Sequence, residues 1–517
     1  MKNFHFCCRT YARQQQILQE GKMKKVTKTI AGALALVTAI TAFAGCSSDT
    51  QGTQSGAQSS DATSATQQTL AQDSGVQNAV SNASVNQSYK DIQVDTKIKW
   101  MAWWEIQEAS PAVEMFKTLY GTPANKPEGY EDTPDENVFC NIKVTTFAER
   151  YVQLAQRIQS DDSPDCFPFE ICNYPYSVAY QNLFQSVDGI LDFTTDDWAD
   201  YKDVIDMFNW GGKNYCPIMD LSPADLLWYR KSVVEEAGFD DPWELFEKGE
   251  WTWTTFMDMC EKFTDVENEK YAMDGYFFQN NFLATTGVPL VSLTDGKLVS
   301  NLNNGSIEKA MDILIKFDDT KESLRYPREI VNNWNPSMNE WVNGNILFYD
   351  DGTWRYEEHW YKFKKKQGWD DEEICFVPYP QMDGSDKYYQ AMKQDSIMLC
   401  AGAKNIEGYK AWIYANLIST KDPDIKAAGR QQSMDNYDWT ETLLDRLDIL
   451  KNPDTFTAVF DFKDGIGIDI ADTSNGDMPV QQLTFYPYMN GETYTSIRAA
   501  NQGQIENRLE ELNGRIG

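Results

Sequence analysis

The chain has 517 residues, 42% of them hydrophobic and 24% charged, enough for two or three domains of roughly 100–200 residues with sizeable cores. Its formal net charge is −32, and beyond Cys46 the balance reaches −38, a polyanion that repels nucleic acid and anionic lipid headgroups and disfavours a strongly anionic ligand. Aromatic residues make up 13%, with 16 Trp.

The leader comes first. Lys24, Lys25 and Lys28 precede an uncharged run from Thr29 to Gly45, the order of a secretory signal. At 17 residues the run is short for a retained membrane span. Phe43-Ala44-Gly45-Cys46 resembles a bacterial lipobox, with Phe43 in place of the usual Leu, which implies that Cys46 becomes diacylated. Residues 1–22 lack an apolar period, and Met23-Lys24-Lys25 is the natural start. From Ser47 to Lys90 the chain is rich in Ser, Thr, Gln, Ala, Gly and Asn, with Tyr89 as its only aromatic, and is expected to be a disordered tether. Lipid cysteine, tether and globular body in that order mean a protein anchored to the outer face of a cell membrane rather than spanning it.

In the body, Ile98–Trp104 is a short apolar run, and Ile142, Val144 and Thr146 alternate as a strand does. Tyr151–Gln159 reads as a helix ending before Ser163-Pro164-Asp165. Ile307, Ala310, Met311, Leu314 and Phe317 share one helical face. Ile346–Tyr349, Ile374–Val377 and Ser396–Leu399 are short strands, and Ile505, Leu509 and Leu512 mark a terminal amphipathic helix. Strands alternating with helices predict α/β layers. Seven cysteines lie beyond Cys46, an odd number with no C-x-x-C pair; buried free thiols are expected, with one pair such as Cys166/Cys172 left open.

Several chemistries lack their residues. The body holds one histidine, His359, which excludes two-histidine zinc helices and most histidine metal clusters. There is no G-x-S-x-G and no G-x-x-x-x-G-K-[ST], and Gly465-Ile466-Gly467 lacks the third glycine of a dinucleotide fingerprint. No cofactor or catalytic residue is expected. Two-carboxylate hydrolysis stays open, because so acidic a chain will bring some pair to about 5–10 Å.

Gly212-Lys213-Asn214-Tyr215-Cys216-Pro217-Ile218-Met219-Asp220 and then Leu226-Leu227-Trp228-Tyr229-Arg230-Lys231, Glu236-Ala237-Gly238-Phe239 and Pro242 resemble the bacterial extracellular solute-binding proteins of the maltose-binding type, with Arg230 in place of the family's usual Asn. Trp251-Thr252-Trp253-Thr254, Trp341–Phe348, Asp351-Gly352-Thr353-Trp354 and Phe376-Val377-Pro378-Tyr379-Pro380 continue the resemblance in order, from Trp100 to about Leu417. The stretch 427–480 matches poorly, and 121–138 is an unexplained insert. The resemblance implies a two-lobe, hinged α/β fold of the periplasmic-binding-protein (Venus flytrap) kind. Its crossovers would lie near Pro217–Asp220 and Met392–Ser396. Lobe one would hold 91–219 plus 394–436, and lobe two 220–393 plus 437–517. It further implies a monomer that closes on a carbohydrate and delivers it to an ABC permease and its ATPase.

Sugars present C–H faces that stack on aromatic rings and hydroxyls that need fixed polar partners. Trp103-Trp104-Glu105 follows the first strand; alternation commits one Trp to the core, and Trp104 and Glu105 are the expected ligand contacts. Asn173 and Tyr174 end the Cys166–Ile171 run, with turn chemistry as their alternative. The resemblance adds Asp220 just past the crossover, Tyr229 at a strand end, and Asp350 and Trp354 beyond the strand Ile346–Tyr349. Trp334, beside Asn335-Pro336, is a further candidate, whereas Trp198, Trp243, Trp251 and Trp253 read as structural. Two rival functions remain at this stage: a secreted carbohydrate-active hydrolase with two acidic catalysts, and a glycan-binding adhesin that does not close.

Overall fold

A computed structural model describes residues 73–276, 278–317, 323–327, 337–472, 477–484 and 492–516. The apolar runs become strands β1 (Ile98–Ala102), β2 (Phe139–Lys143), β3 (Cys166–Pro168), β4 (Ile218–Pro223), β5 (Leu226–Arg230), β6 (Tyr271–Gly275), β7 (Val291–Thr294), β8 (Lys297–Ser300), β9 (Ile346–Asp351), β10 (Ile374–Val377), β11 (Tyr388–Leu399) and β12 (Phe456–Val459). The longer helices are α1 (Ser74–Asn82), α2 (Pro111–Tyr120), α3 (Arg150–Gln159), α4 (Trp253–Phe263), α5 (Gly305–Phe317), α6 (Ile406–Lys421), α7 (Pro423–Tyr437), α8 (Glu441–Lys451) and α9 (Tyr494–Asn513).

Two lobes form around two sheets. The first sheet runs β12-β11-β3-β1-β2, with β4 also paired to β11, and the second runs β10-β5-β9-β6. In the first, β1 lies parallel to β2 and β3. In the second, β9 lies parallel to β6 and antiparallel to β5. All five residues of β1 and all six of β9 are buried, as strands covered on both faces must be. Trp198, Trp228, Trp251, Trp341 and Trp360 are among the largest fully buried side chains, and Trp243 and Trp253 are buried as well. Trp341 and Trp360 meet at 4.4 Å between ring centroids. Burying apolar side chains of this size is what offsets the ordering of so long a chain.

The two crossing strands pair with each other. β4 and β11 run antiparallel from Met392↔Pro223 to Ser396↔Ile218, with the register shifting between Asp395 and Ser396. The second crossover is longer than its apolar run suggests, because Tyr388–Lys393 is polar yet strand-paired, its start lying against β12. Helix α7 makes a third connection. Gln432 within it donates to the Ala109 carbonyl beside β1, while just past its end Asp438 accepts from the Lys364 ammonium at 2.6 Å in the second lobe.

One expectation is corrected, and the open Cys166/Cys172 pairing is settled in favour of free thiols. The tether does not extend to Lys90: Asp73 caps α1, whose Val76 and Val80 are buried, and α1 packs on α2 and α7. Tyr89 stacks on Tyr414 at 3.8 Å and donates its hydroxyl to Asp197 at 2.6 Å. Two valines one helical turn apart suffice to dock a helix that is otherwise polar. The Cys166/Cys172 pair is absent, and all seven cysteines of the described residues are free. The insert 121–138 lies along the entry to β1, where the Lys97 backbone N–H donates to the Asn125 carbonyl and the Lys97 ammonium to that of Asp135, each at 2.9 Å. No helix of the described residues is long and apolar enough to cross a membrane.

Candidate functional site

Because β1, β2 and β3 are parallel, their carboxyl ends share one side, where open α/β sheets receive ligands. The chain leaves β1 through Trp103, Trp104 and Glu105, leaves β2 toward Phe147, and leaves β3 through Glu170, Cys172 and Asn173. Trp103 meets Trp104 edge-on at 4.5 Å and Phe147 at 5.0 Å. Phe147 is 46% exposed, a large apolar ring held open to solvent. The Arg150 guanidinium covers it at 3.6 Å and pairs with Glu170 at 2.5 Å, and Tyr151 donates to the same carboxylate at 2.9 Å. Burial raises the pKa of Glu170, and Arg150 opposes the shift. The alternation expected to bury one of the two tryptophans ends with the strand at Ala102: the chain bends there, and both rings are half-buried.

The second lobe presents a matching edge. Leu226 at the start of β5 lies opposite Asp351 at the end of β9, so Asp225, Asp351 and the residues after β9 gather there. Trp354 is 40% exposed, and the Arg355 guanidinium lies 4.2 Å from its ring centre. Arg355 Nε donates to Asp351 at 2.6 Å, and Asn281 Nδ2 donates to Asp225 at 2.8 Å. Burial pushes the Asp351 carboxyl up to about 7 against the pull of Arg355, with Asp225 adding to the rise. Burial likewise pushes Asp225 up to about 6. Gly352 lets the tryptophan fold back, since a Cβ there would lie 2.5 Å from Trp354 Nε1. Tyr276 leaves β6 at the same edge, 5.7 Å from Arg355 across its ring. The core position that Trp354 could have taken is filled by Tyr356 and Trp360, both fully buried.

The crossing ribbon joins these edges. Along β11, Lys393 and Asp395 are exposed and alternate with buried Met392, Gln394 and Ser396. The Lys393 ammonium favours the charged forms of Glu170 in the first lobe, Asp225 in the second and Asp395 beside it. Asp395 faces Asp220 across the ribbon. Asp220 pairs with Lys451 at 2.7 Å and accepts from the Tyr201 hydroxyl at 3.0 Å. Aromatic rings beside polar groups at both edges suit an amphipathic small molecule.

Residues 136–476 match the profile of the bacterial extracellular solute-binding protein family. The chain belongs to that family. The match includes most of the 427–480 stretch that motif reading could not place. No curated protein matches the sequence. Solved structures share the fold at low identity. The GacH receptor of Streptomyces glaucescens, solved unliganded and with acarbose, has 16% identity and a TM-score of 0.52 over 80% of this chain and 98% of its own. An ABC substrate-binding protein of Listeria monocytogenes in complex with cycloalternan has 15% identity and a TM-score of 0.52 over 83% and 100%. The galacto-N-biose-/lacto-N-biose I-binding protein of Bifidobacterium longum has 14% identity and a TM-score of 0.51 over 81% and 98%.

In this solute-binding protein three expected contacts are spent inside the fold. Tyr174 is 1% exposed, packs on Phe169 and Phe208, and donates its hydroxyl to the Phe208 carbonyl. Tyr229 is fully buried in β5 and donates to Asp241 at 2.9 Å. Asp350 is fully buried and accepts from Tyr379. Tyr229 and Asp350 sit inside strands and Tyr174 in the turn after the short helix Ile171–Asn173, and each side chain is committed to the core. Asn173 is half-buried and donates to Gln181 at 3.3 Å. Trp104 and Glu105 stand at the first edge, Trp354 at the second, and Asp220 on the ribbon. Trp334 and Cys46 lie outside the described residues. Sequence reasoning missed Phe147, Glu170, Tyr276, Arg355, Lys393 and Asp395; the strand-end position of Phe147 and Tyr276 was the available signal. Among the described residues no group of three or more His, Cys, Asp or Glu side chains is placed to hold a metal ion.

Proposed function

We propose that this family member is the lipid-anchored, monomeric receptor of an ATP-driven importer, and that it captures a carbohydrate by closing two lobes over it. The lobes divide at 91–219 plus 394–436 and 220–393 plus 437–517, and Cys46 carries the lipid. The observation that carries the reading is the pairing of aromatic surface with polar groups at both edges. Trp103, Trp104 and Phe147 stand beside Glu105 and Glu170 on one lobe, and Trp354 beside Arg355 on the other. Rings meet the C–H faces of a sugar, and the charged groups meet its hydroxyls. Each arginine at these edges is already paired with a buried acid, Arg150 with Glu170 and Arg355 with Asp351, which leaves little uncompensated positive charge and favours an uncharged ligand. Sugar ligands in the names of the structural neighbours, acarbose, cycloalternan and lacto-N-biose, agree with this class. Binding moves the hinge because the closed form alone brings both edges to the ligand.

The test is thermal denaturation against maltotetraose, cycloalternan, β-1,6-galactobiose, lacto-N-biose and tagatose, with tri- and tetrapeptides as the contrasting class. A sugar at 100 times its dissociation constant adds about 2.7 kcal/mol of stability, a shift of a few degrees for a chain of this size. A shift with peptides and none with any sugar would overturn the reading.

A further inference from the structure

Behind the loop that follows β1 lies a cavity of about 380 Å³, within the range of ~300–1,000 Å³ typical of small-molecule pockets. Trp104 and Glu105 of the first edge are part of its lining. Ser110 at the start of α2, Trp412 of α6, and Lys426 and Gly429 of α7 form the rest of the wall that matters here.

Two independent features leave donors without acceptors in this wall. Trp412 is 3% exposed, and its Nε1–H has no hydrogen-bond partner. An indole nitrogen can only donate, and folds seldom bury such a group unsatisfied. Trp198, Trp341 and Trp360 also hold unpartnered indole nitrogens, but of these four side chains Trp412 alone lines this cavity. The ten-residue helix α2 begins at the same wall, and its N-cap Ser110 makes no side-chain capping hydrogen bond. The Ser110 hydroxyl is thus not used by the helix, and, Pro111 having no N–H, those of Ala112 and Val113 are the first-turn groups left without a partner inside the helix. Lys426 is exposed and forms no ion pair among the described residues. Opposite these donors, Glu105 supplies an exposed acceptor and Trp104 a half-exposed ring. Gly429, inside the fifteen-residue helix α7, keeps the space open: a Cβ there would meet only Pro111 Cγ, at 3.5 Å.

We propose that this cavity is an additional carbohydrate subsite, taking an end unit of an oligosaccharide whose other units lie in the cleft. Hydroxyl oxygens of that unit accept from Trp412 Nε1 and Ser110, a hydroxyl donates to Glu105, and the ring face lies on Trp104. The inference rests on the carbohydrate reading above and deepens it: the protein selects oligosaccharides longer than a disaccharide.

Calorimetric titration with maltose and maltotetraose, and with cellobiose and cellotetraose, tests it on the full body of the protein. The wild type should bind the tetrasaccharide of one series at least about tenfold more tightly than its disaccharide. Gly429→Leu, which fills the cavity and favours the helix, should bring the tetrasaccharide down to the affinity of the disaccharide and leave the disaccharide unchanged. Trp412→Phe keeps an aromatic ring, removes the donor, and should cost the tetrasaccharide alone about tenfold. A Gly429→Leu protein that binds the tetrasaccharide as the wild type does would overturn the subsite and spare the carbohydrate reading. A wild type that binds neither series but binds peptides would overturn both. Should Trp412→Phe fail to fold, Gly429→Leu still decides.

Discussion

Arg355 holds its guanidinium 4.2 Å from the ring centre of Trp354 while its Nε is bonded to Asp351 at 2.6 Å. One buried acid therefore fixes an arginine, and the arginine fixes the exposed face of a tryptophan at the rim of the second lobe. A ring held in place before the ligand arrives costs less ordering entropy on binding.

Trp354→Ala should cost ~1–3 kcal/mol of sugar affinity, by analogy with base stacking on aromatic rings. Its melting temperature should change little, because the ring is 40% exposed. Titration calorimetry and thermal melting of the same variant separate this from a core role, which would cost ~3–5 kcal/mol of stability.

The pH dependence of stability follows from Asp351. Its folded pKa, pushed up to about 7 from the ordinary carboxylate value, is raised, so the folded state holds the proton more tightly than the unfolded chain. Its contribution is fully present below the unfolded pKa and is lost as pH rises toward 7. Asp225, pushed up to about 6, acts in the same direction over a narrower window. Melting temperatures measured from pH 4 to 7 should therefore fall less steeply, or rise more, in Asp351→Asn than in the wild type. Parallel curves would show that the carboxyl is already ionised in the folded protein at low pH.

A chain beginning at Asp91 should be less stable than one beginning at Asp73. The difference lies in Val76, Val80 and Tyr89, all buried, and burying a large apolar side chain is worth about 1.5–3 kcal/mol. Equal denaturation midpoints would mean that α1 contributes nothing to the fold.

Cys46→Ala should release the protein from the membrane fraction or block its maturation. A normally processed variant that stays membrane-bound would contradict lipid attachment at this residue.

Incubation with mixed oligosaccharides should release no reducing ends. Asp225 and Asp351, the two acids at the second-lobe edge raised into a range useful for proton transfer, are buried and bonded to Asn281 and Arg355. Reproducible release that disappears in Asp351→Asn would point to hydrolysis instead.

The elements were legible in the chain because strands and helices announce themselves by period. Ile374–Val377 is a strand with the bounds expected of it, and the helix read from Tyr151 starts one residue earlier, at Arg150. The family was legible through ordered motifs at strand ends. Side-chain direction was not. Tyr229 and Asp350 lie in strands buried on both faces, where strand position cannot tell a cleft residue from a core one. Trp103 and Trp104 escaped the alternation rule because the strand stops one residue before them. Lys393 and Asp395 were invisible because their role comes from the pairing of β4 with β11, whose strands lie far apart in sequence. Helix α1 was hidden by composition, since a Ser- and Asn-rich segment docks through only two valines.

The central claim is capture between two lobes, and small-angle X-ray scattering of the protein with and without the sugar that most raises its melting temperature tests it most directly. Closure predicts that the radius of gyration falls when that sugar is added and stays constant with a sugar that gives no thermal shift. A sugar that stabilises the protein and leaves the scattering curve unchanged would contradict capture by closure and favour a surface that binds glycans without moving.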